Sequence, residues 1–83
     1  MSDSKADMVG LMELVAKAIV EAPDEVTVEP FDENGQTVLE LVVAEEDVGR
    51  IIGRHGRTAR SLRTILHSAS LRTRKRYQLE IVE

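Results

Sequence analysis

The residues best placed to do chemistry are Gly53-Arg54-His55-Gly56, two glycines around a basic pair, followed by Arg57, Arg60 and Arg63. What such a set can do is hold an anion. A glycine carries no Cβ, so its main chain can approach a bulky group closely. Where a helix starts just after the loop, its first amides and the positive end of its dipole face the same spot and favour a phosphate there. Guanidiniums add charge and paired donors. The spacing by itself is weak, since an ordinary glycine turn between two packed helices satisfies it as well.

Other chemistries find little support. The chain has no cysteine, which removes thiolate nucleophiles, disulfides and Cys-based zinc sites. His55 and His67 have no acidic ligand near them in sequence and make a poor metal set. No Ser-His-acid spacing and no carboxylate pair in an expected pocket stands out. The expectation is a protein with no catalytic residues, no metal and no cofactor, whose acids lie on strand and helix exteriors.

The candidate loop sits in a stretch of one sign. Residues 49–76 carry nine of the eleven Lys and Arg and no acid, whereas residues 1–48 hold two lysines against thirteen Asp and Glu. With Glu80 and Glu83 counted, residues 49–83 carry a formal charge of +7 against −11 for residues 1–48, within a net −4, an asymmetry that points to a charged partner. A pI near 5.2 argues against nucleic acid, for which a basic domain is the usual footprint. Binding nevertheless responds to the local field, because charges beyond a Debye length of about 8–10 Å are largely screened. Eighty-three residues make one small domain. MSDSKAD lacks the basic flank and apolar core of a signal peptide, and no apolar run approaches the roughly 18 residues that span a bilayer. A soluble, cytoplasmic protein without a membrane partner is expected.

The positioning elements follow from periodicity. Residues 1–7 are expected as a disordered N-terminus, with residues 1–4 frayed and the domain proper over 8–83. Met8, Leu11, Met12, Val15 and Ile19 recur at helical spacing, predicting a helix from Lys5 to Ala22 with Ser4 and Asp7 as a weak cap, stopped by Pro23. Val26 and Val28 alternate with polar neighbours in a short strand that Pro30 restricts to an edge or an end. Asn34-Gly35 supplies a tight hairpin turn, and Thr37–Ala44 forms a second strand with Leu39, Leu41 and Val43 on one face and Val38, Glu40 and Val42 on the other. Glu45, Glu46 and Asp47 open a short helix, where negative charge suits the macrodipole, and Val48, Ile51 and Ile52 give it an apolar stripe. A longer helix runs from Arg57 to about Leu71, with Ala59, Leu62, Ile65, Leu66 and Ala69 inward. Arg57, Arg60, Thr64 and His67 face away, Arg63 stands at their margin, and Leu71 falls on the same basic side. Tyr77, Leu79 and Ile81 alternate in a third strand, with Tyr77 expected in the core. The order α-β-β-α-α-β predicts an α+β domain with helices on one face of a three-stranded mixed sheet.

Ile51-Ile52-Gly53-Arg54-His55-Gly56 before a basic helix resembles the signature of KH domains, whose GXXG loop clamps about four nucleotides. The element order is similar to the type II arrangement. Ala16–Glu29 and Val43–Leu66 resemble the KhpA (YlqC) family of small bacterial RNA-binding proteins, the likeness covering nearly all of residues 8–83. The resemblance implies single-stranded RNA as partner, with Gly53, Arg54, His55 and Gly56 as the clamp. It also implies Val48, Ile51 and Ile52 as the floor of a groove, and the Arg72–Arg76 connector with the third strand as its opposite rim. Independently of the resemblance, the basic face with no Glu partners on its helix leads to the expectation of Arg54 and Arg57 as the foremost phosphate contacts, with Arg60 and Lys75 as secondary ones. Family members act in post-transcriptional regulation or RNA chaperoning, pair with themselves, and pair with a larger KH-containing protein of the Jag/EloR/KhpB type.

Two competing readings fit the residues as well. A scaffolding or dimerisation module would use Leu71, with Val38, Val42 and Val82 on the outer sheet face. A DNA-reading helix-turn-helix is less well supported, because the helix after the loop presents no Asn or Gln for base edges in its first turns.

Overall fold

The computed structural model describes residues 4–83; the disorder expected for residues 1–3 lies outside the described residues. The elements are α1 (Ser4–Ile19), β1 (Thr27–Glu33), β2 (Gln36–Val42), α2 (Val48–Ile52), α3 (Arg57–Ser70) and β3 (Arg76–Ile81). Short 3₁₀ turns occupy Pro23–Glu25, Glu45–Asp47, Arg54–Gly56 and Leu71–Thr73. Asn34 and Gly35 form the two-residue connection that lets Glu33 face Gln36 and folds β1 antiparallel onto β2. β3 joins the other side of β2 in parallel, giving the order β1-β2-β3. A parallel neighbour needs a long crossover, and α2, the glycine loop and α3 provide it. The mixed sheet and α+β architecture are as the residue pattern predicts.

The sheet register decides which residues meet the helices. Val28, Leu41 and Ile81 form one rung on the helix side and Pro30, Leu39 and Leu79 the next. Onto them pack Met8, Met12 and Ala16 of α1, Ile51 of α2, and Leu62 and Leu66 of α3. Tyr77 is only partly buried against this core, and its hydroxyl lies 2.8 Å from Ser4 Oγ.

The structure corrects several local expectations. Ser4 and its neighbours through Asp7 are helical; Ser4 Oγ hydrogen-bonds the Tyr77 hydroxyl, and Lys5 pairs with Asp32 at 2.9 Å. α1 stops at Ile19, before the residue that Pro23 would push out of the α region. β1 is an edge strand, one of the two places expected for Pro30, but it is longer than expected and continues through Pro30 to Glu33, because a proline on an edge can lack an N–H without breaking a ladder bond. Ile65 is 38% exposed: Leu62 and Leu66 hold the inward stripe, and Ile65 lies about 100° round the helix from Leu66. Leu71 is 66% exposed, in keeping with the basic, outward side where helical phase places it.

Candidate nucleic-acid interface

α2 is five residues long and ends at Gly53, whose N–H donates to Gly49 O at 2.8 Å. Gly53 leaves the helix at φ 77°, and Gly56 N–H donates back to Gly53 O at 3.1 Å. His55 and Gly56 are both left-handed, at φ 58° and 73°, so the chain turns sharply between two helices. The two glycines differ in surroundings. A Cβ on Gly53 would overlap the Thr58 hydroxyl and lie 2.7 Å from Thr58 Cβ, whereas a Cβ on Gly56 would meet nothing within 4 Å. Gly53 is thus required by packing against α3. Gly56 leaves an open approach.

α3 begins immediately after Gly56, and no side-chain oxygen caps its N-terminus. Arg54, His55, Arg57, Arg60 and Arg63 are exposed. Among the described residues no carboxylate pairs with Arg54, Arg57, Arg60 or Arg63. The charge of the loop region is therefore available to a ligand.

Beside the loop lies a cleft of about 450 Å³ lined by Ile52, Gly56, Ala59, Arg60, Arg63, Ile81 and Glu83. Its apolar surface comes from Ile52, Ala59 and Ile81, and its cations from successive turns of α3. Val48 lines an adjoining cleft of about 390 Å³ with Val42, Val43 and Val82. The third residue expected in the groove floor is placed elsewhere: Ile51 is fully buried and supports Ile52 from the core side. Lys75 is not brought to the loop. It lines a cleft of about 440 Å³ with His67, Leu71, Arg74 and Arg76 at the other end of α3, about 20 Å away by helix rise. Arg63 belongs to the cleft, whereas helical phase puts it only at the margin of the basic face; its spacing of three from Arg60 and seven from Gly56 is the signal that marks it.

One acid contradicts the expectation that all acids lie outside. The Asp47 side chain is 3% exposed. It does not cap α2; its Oδ1 and Oδ2 accept from the amides of Glu21 and Ala22, each at 3.0 Å. Arg50 Nε lies 3.3 Å from Oδ1, and an Arg50 terminal nitrogen donates to Glu21 Oε1 at 2.7 Å. The Glu21 amide holds the Asp47 carboxyl below the usual carboxylate range; burial opposes this, and the Ala22 amide and Arg50 reinforce it. Arg50, one turn before the loop, is the basic residue here that is already engaged.

No helix among the described residues is long and apolar enough to cross a membrane, and no described group of acids and histidines could hold a metal ion.

The fold is similar to part of an Aquifex aeolicus Era variant in its GDP.AlF4-–bound form, at a TM-score of 0.62 and 17% identity. That match covers 98% of this chain and 31% of the Era chain, and it speaks to fold alone. Sequence relatives are nearer. The chain is 47% identical over 73 residues to the RNA-binding protein KhpA of Treponema pallidum, covering 88% of this chain and 91% of that protein. It is 46% identical over 72 residues to the RNA-binding protein KhpA of Thermotoga maritima, covering 87% and 95%. The family profile described as KhpA/KhpB, KH domain, matches residues 10–81, and with the glycine loop, the two flanking helices and the mixed sheet it establishes that this chain belongs to the KhpA/KhpB KH-domain family.

Proposed function

We propose that the protein binds single-stranded RNA by its phosphate backbone at Gly53–Gly56, with Arg54, Arg57, Arg60 and Arg63 neutralising the strand and Ile52, Ala59 and Ile81 receiving bases. The observation that carries this is the set of exposed, unpaired guanidiniums around an open glycine turn at the uncapped start of α3. Relatives at 44–47% identity named RNA-binding protein KhpA support it. Apolar walls rather than aromatic platforms suit a chain whose aromatics are Phe31 and Tyr77. The role that fits is post-transcriptional regulation or RNA chaperoning together with a larger KH-containing protein.

Neutralising about three or four phosphates sets the salt dependence, with log K falling against log salt at a slope near −2 to −3. Fluorescence anisotropy on a labelled single-stranded oligonucleotide measures it. Replacing Arg54 and His55 together by aspartate is expected to abolish binding with the circular dichroism spectrum intact. Unchanged affinity in that variant removes the clamp from the account.

A second reading, compatible with the first, has the protein pairing with itself or with its larger partner. Ile65 and Leu71, 38% and 66% exposed on one helix and its end, favour it. Val38 contributes less than its position suggested, being 9% exposed. A monomer by sedimentation at tens of micromolar would remove self-pairing.

A further inference from the structure

Resting on the RNA reading above, we infer that Asp47 and Arg50 are positioning residues, which aim the glycine loop at RNA without touching it. A helix of five residues such as α2 cannot hold its own direction, since isolated short helices are not stable in water. Its direction must come from contacts outside it; Val48 packs against the core, and two further contacts bear on its aim. Ile51 is an apolar pin in the core. The other is polar and sits at the start of the helix.

That polar contact is a closed circuit. The amides of Glu21 and Ala22 lie beyond the last turn of α1, and Asp47 takes both, one on each carboxylate oxygen. Arg50 then bridges Asp47 to the carboxylate of Glu21. The end of α1 is thereby tied to α2 through one nearly buried side chain. At the other end of α2, Gly49 O receives the Gly53 N–H at 2.8 Å, so a rotation of the short helix carries directly into the loop. Glu21 and the Arg50 guanidinium are partly exposed, 76% and 48%, and an exposed ion pair is weak. The buried end at Asp47 carries the coupling.

Arg50 looks, by sequence, like a further phosphate contact beside Arg54. Its engagement by two carboxylates assigns it to holding α2 instead. The two roles differ in what they do to salt dependence. Losing a cation that meets a phosphate lowers the salt slope by about 0.7 on a single strand. Losing a positioning group weakens binding while the same phosphates are still met, so the slope stays.

The test uses the full chain, a labelled single-stranded RNA and amide hydrogen exchange. Asp47→Asn keeps the shape of the side chain but loses the charge facing Arg50 and sets an amide donor against a backbone N–H. Expected is a loss of affinity of about tenfold at unchanged salt slope, with faster exchange at the Gly53 and Gly56 amides in the free protein. Arg50→Leu is expected to do the same and Arg50→Lys to stay near wild type; this pair carries the test should Asp47→Asn fail to fold. Wild-type affinity and wild-type exchange in Asp47→Asn and Arg50→Leu, or a lowered slope in Arg50→Leu, overturns the inference. The two readings fail separately: if the Arg54/His55 double aspartate variant keeps full affinity, the RNA site is elsewhere, and exchange at Gly53 and Gly56 still decides whether Asp47 and Arg50 order the loop.

Discussion

Gly53 and Gly56 stand three apart in one motif, yet different forces require them. Gly53 has a positive φ and no room for a Cβ against Thr58, so its demand comes from within the fold. Gly53→Ala is expected to cost about 1–3 kcal/mol of stability, from strained backbone and overpacking together, read from the urea midpoint. Gly56 also has a positive φ but faces open space. Asparagine tolerates that conformation, so Gly56→Asn should fold nearly as well as wild type and bind oligonucleotide more weakly, because its side chain projects where the strand would lie. Equal stability of the two variants would show that this distinction is wrong.

Among the elements, α2 illustrates how far periodicity reaches. Val48, Ile51 and Ile52 read as one apolar stripe, and the stripe is real, but the helix sits at the edge of the core and its side chains divide. Ile51 is fully buried and Ile52 is half-buried at the cleft. Ile51→Ala should therefore cost about 2–5 kcal/mol in a denaturant titration. Ile52→Ala should cost much less stability and lower RNA affinity at unchanged salt slope. The turn before α2 sets a pH dependence. A carboxyl held low in the folded state contributes stability above its unfolded value of about 3.9 and loses it as pH falls through the lower folded value. Asp47 is such a group. The gap in urea midpoint between wild type and Asp47→Asn should be widest near neutrality and narrow below about pH 4; a gap independent of pH would sink this.

Across the whole molecule the charge is sorted by face. Guanidiniums gather on α3 and around the loop, while the sheet face turned away from the helices carries Glu29, Glu40 and Glu80 on a single rung across all three strands. Like charges directly opposite each other destabilise a sheet, by about 0.2–1 kcal/mol per pair. Glu40 is the middle member, so Glu40→Gln should raise stability by about 0.5 kcal/mol or more, with the gain shrinking at high salt. No change at low salt would mean that the side chains already splay apart. The acidic rung helps a chain of net charge −4 to offer a basic surface, since these three acids face away from it, although Glu83 lines the cleft itself.

Local chemistry made much of this protein legible. The Asn34-Gly35 turn, the alternation along β2 and β3, the glycine break after Ile52 and the amphipathic α3 are short-range consequences of backbone sterics and of the periods of helix and strand, and a sequence displays both. What it could not display were contacts between residues distant along the chain. The burial of Asp47 under the amides of Glu21 and Ala22, the turning of Ile51 into the core, the exposure of Ile65, and the separation of Lys75 from the loop by the length of α3 each depend on which surfaces the packed elements cover. Burial is settled by the partners a residue meets in three dimensions, and only the tertiary structure brings those partners together.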